Sequence, residues 1–359
     1  MSLALALGRR GLGNTWPNPA VGAVIVRRDG GAPVVVGRGW TQAGGRPHAE
    51  IEALRRAGAA ARGATLYVTL EPCSHHGKSP PCADAIVAAG IARVVSALED
   101  PNPEVAGQGH ARLRAAGLAV EVGLGAQEAR RAHAGHIRRI VDGRPHVTLK
   151  LALSADRKAG AAGRRPVAIT GEAVRARVHR MRAMNDAILI GIGTALADDP
   201  QLTCRLPGME KFSPVRVVLD AHLRLPVNGA LATSANATPV WVVTAPEASP
   251  EAARALHDRG VELLHAPAPA GRLDIAAVLR LLAERGITRL MVEGGPTVAA
   301  SFVAADLVDE AVLFHSAKAL GADGIDALEG LPLDALTGKL TSLGREPVGD
   351  DSVEFLARA

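Results

Sequence analysis

The chain has 359 residues, 48% hydrophobic and 21% charged, which suits two globular domains with their own cores and excludes long disorder or a fibrous architecture. Only four Phe, three Trp and one Tyr are present, so the cores rest on Ala, Val, Leu and Ile, and stacking on single-stranded nucleic acid is disfavoured. Lys and Arg number 41 against 36 Asp and Glu, an excess spread along the chain that favours small anionic ligands; three cysteines make no disulfide framework, and no apolar run reaches the ~18 residues of a membrane span, so a reducing cytoplasm is expected.

Residues 1–7 lack a charged leader and read as a helix rather than an export signal. Short strands over 21–26 and 33–37 flank the turn Arg28-Asp29-Gly30-Gly31. Then follow a helix over 49–58, a strand over 66–70, a helix over 83–90, a strand over 93–98, a helix over 111–117 and a strand over 118–122. A helical stretch over 126–141 ends at Asp142-Gly143-Arg144-Pro145, where the boundary between domains 1–143 and 144–359 is placed. In the second half, strands are predicted over 146–153, 187–192, 215–220, 240–244, 290–293 and 310–315, with helical patterns between them, including 273–286. Residues 266–271 read as a surface loop. The order of elements predicts an α/β fold class: a three-layer domain followed by a second α/β sheet.

His48-Ala49-Glu50 opens a predicted helix, Pro72-Cys73 follows a strand, and Pro81-Cys82 opens the next helix. One imidazole (His48) and two thiolates (Cys73, Cys82) suit tetrahedral Zn2+ with a fourth position for water, whose pKa the metal lowers toward ~7. Glu50 is placed to carry protons between that water and a leaving amine. His-x-Glu followed by Pro-Cys-x-x-Cys marks zinc nucleobase deaminases. Here eight residues rather than two separate the cysteines, and the polar, basic insert 74–81 would form a substrate-recognising lip. His75 or His76 is the alternative ligand; buried packing of both cysteines is the alternative without chemistry.

The run Glu71-Pro72-Cys73-Ser74-His75-His76-Gly77-Lys78-Ser79-Pro80-Pro81-Cys82 resembles the bifunctional riboflavin-biosynthesis deaminase/reductase family. So do Pro17-Asn18-Pro19-Ala20-Val21-Gly22, Asp100-Pro101-Asn102-Pro103-Glu104-Val105-Ala106-Gly107, Ala197-Asp198-Asp199-Pro200-Gln201-Leu202-Thr203 and Val292-Glu293-Gly294-Gly295-Pro296-Thr297, in that order over nearly the whole length. The resemblance implies a cytidine-deaminase-like zinc domain and a dihydrofolate-reductase-like domain. The first would remove the 2-amino group of a diaminopyrimidinone ribosylamine phosphate, and the second would reduce the product's ribose to ribitol with NADPH. It implies a small phosphorylated pyrimidine as partner, no nucleic acid, no membrane, and leaves room for a homo-oligomer.

By the same resemblance, Asn18, His75, Lys78 and Asp100 contact the deaminase substrate, although turn formation beside proline accounts equally for Asn18 and Asp100. No Gly-x-Gly-x-x-Gly follows a strand, so the Rossmann fingerprint is missing. Phosphate could instead rest where Glu293-Gly294-Gly295-Pro296-Thr297 ends a strand and opens a helix at Val298, a packing turn being the alternative. Gly191-Ile192-Gly193-Thr194 is a second close-approach loop. The resemblance assigns cofactor contacts to Ala152, Ala168, Thr194, Asp198, Gly295, Pro296, Thr297, Val298, Ala299, Ala300 and Ser301. It assigns reductase-substrate contacts to Pro166, Arg182, Leu202, Arg205 and Glu293, the arginines suiting a phosphate. Without it, Arg182 reads as a solvated helix face and Leu202 as core.

Several positions depart from the family pattern. Thr41 in Gly39-Trp40-Thr41 stands where relatives carry a substrate-contacting histidine, and Ser154-Ala155-Asp156-Arg157 replaces Ser-Leu-Asp-Gly. Pro166 replaces a serine that donates to substrate and Ala168 a tryptophan near the cofactor, while Arg164 and Arg165 would supply compensating charge. The chain also begins several residues later than its relatives. Cys204 is expected to be a packed free thiol. Two other functions fit parts of the pattern: a nucleic-acid base deaminase, disfavoured by the aromatic scarcity, and a deaminase whose second half only senses nucleotide.

Overall fold

The computed structural model describes residues 1–75, 80–103, 105–165 and 167–358, so the expectations for Lys78 and Pro166 lie outside the described residues. The chain divides into two compact units, Met1–Arg144 and Pro145–Ala359, each an α/β structure as the sequence predicts.

In the first unit, helix α1 (Ser2–Gly8) precedes strands β1 (Gly22–Arg27) and β2 (Val34–Trp40), then α2 (Ala49–Ala57), β3 (Thr65–Val68), α3 (Cys82–Ala88), β4 (Arg93–Ser96), α4 (Gln108–Ala115), β5 (Ala119–Val122), α5 (Ala126–Ala132) and α6 (Ala134–Asp142). The sheet order is β2-β1-β3-β4-β5, with β1 antiparallel to both neighbours and the rest parallel. Ala23, Ile25, Leu66, Val68, Ile86 and Val94 fill its core beside Ala49 and Ala53 of α2. Such small residues let α2 ride close on the hairpin. A Cβ on Gly37 would lie 2.3 Å from the Ala53 carbonyl oxygen, and one on Gly39 2.3 Å from that of Ala49.

The helix predicted over 126–141 is two helices, because the chain turns at His133, where φ is −97° and ψ 11°. The buried His133 ring is hydrogen-bonded to Thr69 Oγ1 at 3.0 Å, and Thr69 Oγ1 also accepts from the Gly22 N–H at 3.1 Å. That anchor sets the direction in which α6 leaves.

The second unit contains β6 (His146–Leu153), β7 (Lys158–Gly160), β8 (Ala187–Gly191), β9 (Val215–Leu219), β10 (Val240–Thr244), β11 (Glu262–His265), β12 (Arg289–Gly294), β13 (Glu310–His315), β14 (Ile325–Asp326), β15 (Thr341–Val348) and β16 (Asp351–Ala357). Nine of them form one sheet, β11-β10-β9-β8-β12-β6-β13-β16-β15, parallel as far as β13 and antiparallel beyond. The parallel centre is apolar on both faces, as in Ile188, Leu189, Ile190, Val217 and Val218, which is what flanking helices demand. Sequence periodicity missed β15, because almost all of it is exposed and it carries Gly344 and Pro347. The loops after β8 and β12 leave the carboxyl ends of adjacent parallel strands, where open α/β sheets bind ligands.

Gly39→Ala is expected to destabilise the protein by about 1–3 kcal/mol through overpacking against α2. Urea denaturation checks this, and a variant as stable as the parent contradicts the close α2–β2 contact.

Candidate functional site

His48 is the N-cap of α2, in extended backbone, so its ring stands at the helix mouth while Glu50, in the first turn, points into the protein and is 3% exposed. Cys73 follows β3 on an irregular segment, and Cys82 is the first residue of α3. The Cys82 N–H donates to Cys73 Sγ at 3.2 Å and the Ala83 N–H to the Cys73 carbonyl at 3.1 Å, which joins the two cysteines despite the long insert. Sγ of Cys73 and of Cys82 lie 3.7 and 3.3 Å from His48 Nδ1, and all three donors fall within 4.8 Å of one another. Tetrahedral zinc, with Zn–S of about 2.3 Å and Zn–N of about 2.1 Å, separates sulfur and nitrogen donors by about 3.6 Å. The donor set fits the metal.

The electrostatics agree. The hydrogen bond from Cys82 lowers Cys73 to about 4, while that bond and burial push Cys82 up, so the proton stays on Cys82. A cation among them displaces that proton. Burial raises Glu50 above the ordinary carboxylate value, as suits a group that must both accept and return a proton.

A cavity of about 150 Å³ opens over this cluster and brings together Asn18, His75 and Asp100 with His48, Glu50 and Cys73. Asn18 is also part of a turn, its N–H donating to the Thr15 carbonyl at 3.0 Å, so turn and cavity roles coexist. Gly45, at φ +83°, leaves space that Asn18 fills: a Cβ there would meet Asn18 Nδ2 at 1.9 Å. Asp100 Oδ1 accepts from the Asn102 N–H at 2.9 Å. Thr41 is 2% exposed and accepts from the Val21 N–H at 3.0 Å. Sequence reasoning missed two residues here. Glu71 is buried and accepts from the N–H groups of Asp100 (3.0 Å), Gly107 (3.0 Å) and His110 (3.1 Å), tying the 100–107 loop to the Cys73 segment. His136 of α6 lines the same cavity. An apolar strand ending in a carboxylate just before Pro-Cys was the available signal for Glu71; for His136 there was none.

In the second unit a cavity of about 210 Å³ is lined by Thr194, Asp198, Gly295, Pro296, Thr297 and Val298, six of the expected cofactor contacts. Thr194 Oγ1 accepts from the Gly295 N–H at 2.9 Å and so joins the two loops. The helix Pro296–Ala304 starts at Pro296, two residues before Val298, because proline is pre-set for the first helical position. Its first-turn N–H groups lie beyond reach of an intrahelical carbonyl, which suits a phosphate, and Arg164 and Arg165 line the same cavity. Arg164 is paired with Glu329 at 2.5 Å, and Thr297 Oγ1 donates to the same carboxylate. Ala299 and Ala300 are buried, Ser301 donates to the Thr297 carbonyl at 2.9 Å, Ala152 lies within β6 and Ala168 is exposed; none of the five lines this cavity.

Glu293 lines the cavity and is held by Arg182, whose Nη2 lies 2.8 and 3.0 Å from its two oxygens and whose Nη1 donates to the Thr203 carbonyl at 3.1 Å. Arg182 is therefore no solvated helix face. Lys150, also missed, lies 3.9 Å from Glu293, and burial lowers its pKa against the pull of that carboxylate. A lysine between Leu149 and Leu151 of a strand was its signal. Leu202 is buried in the core at φ +56°, and Arg205 is exposed and bonded to Gln201 at 3.2 Å. Arg157 sits at φ +61°, a conformation that favours glycine, and Asp156 closes the turn through Ser154 and the N–H groups of Leu320 and Gly321. Cys204 is buried and free.

Cys73→Ser and Cys82→Ser should each lower zinc per chain on metal analysis, and unchanged stoichiometry would sink the ligand set.

Residues 145–352 match the family model of the RibD C-terminal domain, and residues 1–98 that of the cytidine and deoxycytidylate deaminase zinc-binding region. The riboflavin biosynthesis protein RibD of Escherichia coli K12 is 41% identical over 338 residues, covering 92% of this chain and 91% of its own. That of Aquifex aeolicus is 39% identical over 365 residues, covering 100% and 97%. Among solved structures, Acinetobacter baumannii RibD superposes with a TM-score of 0.87 at 34% identity, covering 100% of this chain and 97% of that one. A Thermotoga maritima diaminohydroxyphosphoribosylaminopyrimidine deaminase/5-amino-6-(5-phosphoribosylamino)uracil reductase does so with 0.85 at 35%, with the same coverage. With a zinc-deaminase half, a reductase half and relatives alike along nearly its whole length, the chain belongs to the RibD family, the bifunctional deaminase/reductases of riboflavin biosynthesis.

Proposed function

We propose that the first unit hydrolyses the 2-amino group of 2,5-diamino-6-(5-phosphoribosylamino)pyrimidin-4(3H)-one, and that the second reduces the ribosyl chain of 5-amino-6-(5-phosphoribosylamino)uracil to ribityl with NADPH. The observation that carries the first step is the buried Glu50 carboxylate beside a His48, Cys73 and Cys82 cluster inside one cavity. A zinc ion held there supplies a water acidified toward ~7 and an electrophilic centre. Glu50 takes a proton from the attacking water and delivers it to the departing nitrogen, so that water and amine become carbonyl and ammonia. Asn18 orients the ring through its amide, and the exposed His75 marks where the lip meets the substrate.

For the second step, the support is the convergence of Thr194, Gly295 and the first turn of the helix Pro296–Ala304 on one cavity. Gly193, where a Cβ would meet nothing within 4 Å, leaves room for a cofactor, and Arg165 offers charge to its phosphates. Glu293 lines the cavity and is paired with both Arg182 and Lys150, two cations sharing one carboxylate, which favours a phosphorylated substrate. Thiol ligands suit a reducing compartment, and the cytoplasm is the proposed location.

Glu50→Gln is expected to retain zinc while ammonia release falls by at least about 100-fold, the scale of general acid–base catalysis. Full deaminase activity in that variant removes Glu50 from the mechanism.

A further inference from the structure

The turn at His133 sends α6 back across the deaminase cavity, so that His136 and Ile140 join Asn18, Glu50 and Asp100 in its wall. The His136 side chain is 11% exposed, yet neither ring nitrogen has a hydrogen-bond partner. A largely enclosed imidazole without a hydrogen bond is unfavourable, and a role in packing alone would be met better by an apolar residue such as the neighbouring Ile137 or Ile140. Its Nε2 lies 3.6 Å from Asp100 Oδ1, beyond hydrogen-bond length. The two form an ion-pair contact in the cavity wall that leaves both ring nitrogens of His136 without a hydrogen bond.

We propose that His136 binds the substrate in the deaminase site: with Asp100 it holds the hydroxyl-bearing sugar portion.

The chemistry favours sugar over phosphate. An imidazole offers ring nitrogens for hydrogen bonding and a carboxylate accepts, so together they match hydroxyl groups; a phosphate would face the Asp100 charge. His136 also lies outside the donor cluster of His48, Cys73 and Cys82, which leaves the reacting end of the pocket to Glu50. The inference rests on the deaminase reading given above.

The test uses the full-length, zinc-loaded enzyme, with His136→Ala and the more conservative His136→Gln. Ammonia release is followed from the complete ribosylamine phosphate and from the pyrimidine base lacking the sugar. For the complete substrate, His136→Ala should raise KM about tenfold or more with kcat within about threefold, as expected for lost ground-state binding, and His136→Gln should recover part of that. Turnover of the bare base, zinc content, melting temperature and reduction of separately supplied deaminated product should not change. An unchanged KM in a folded, zinc-loaded His136→Ala overturns the proposal, as does an equal loss on both substrates. If His136→Ala does not fold, an unchanged KM in His136→Gln overturns it in the same way. A parent enzyme that releases no ammonia contradicts the functional assignment itself.

Discussion

Helix α2 can lie in contact with β2 only because Gly37 and Gly39 carry no side chain there, and everything in the first site follows from that approach. It brings the N-terminus of α2 down to the level at which β3 ends, so His48 meets the two cysteines and Glu50 is driven inward. The burial that raises the Glu50 pKa is thus a consequence of packing between a helix and a strand, not of the metal cluster alone. In a chain with so few aromatics, close backbone approach replaces large side chains as the way to build a rigid pocket.

The two units solve the problem of buried charge in the same way. Glu71 takes three backbone N–H groups, and in doing so fixes the loop that carries Asp100. Glu293 is held by Arg182 and Lys150, so the reductase cavity has an oriented carboxylate without a lone buried charge. Arg216, fully buried in β9, is bound instead by the Gln201 carbonyl at 3.2 Å and Ser234 Oγ at 2.7 Å, which anchors the segment leading to Leu202. In each case a buried polar side chain sets the course of a functional loop.

Much of this was legible in the residues. Short motifs with chemical meaning, His48-Ala49-Glu50 and Pro72-Cys73 with Pro81-Cys82, sit at helix and strand ends, where local rules are strong. The parallel core strands announce themselves as apolar runs. Contacts between distant segments leave no such trace. Nothing in the sequence places His136 near Asp100, because the turn at His133 depends on a hydrogen bond to Thr69, 64 residues away. Arg182 looked solvated because its partner Glu293 is 111 residues distant. The strand β15 escaped because an exposed edge strand needs no alternation of apolar and polar residues.

Two reactions are joined in one chain, the product of the first being the substrate of the second. The measurement that tests this most directly follows ammonia release and NADPH oxidation together from the diaminopyrimidine substrate. Oxidation should lag behind ammonia release, cease in Glu50→Gln and return when the deaminated product is added. Equal NADPH oxidation by Glu50→Gln from the undeaminated substrate would contradict it.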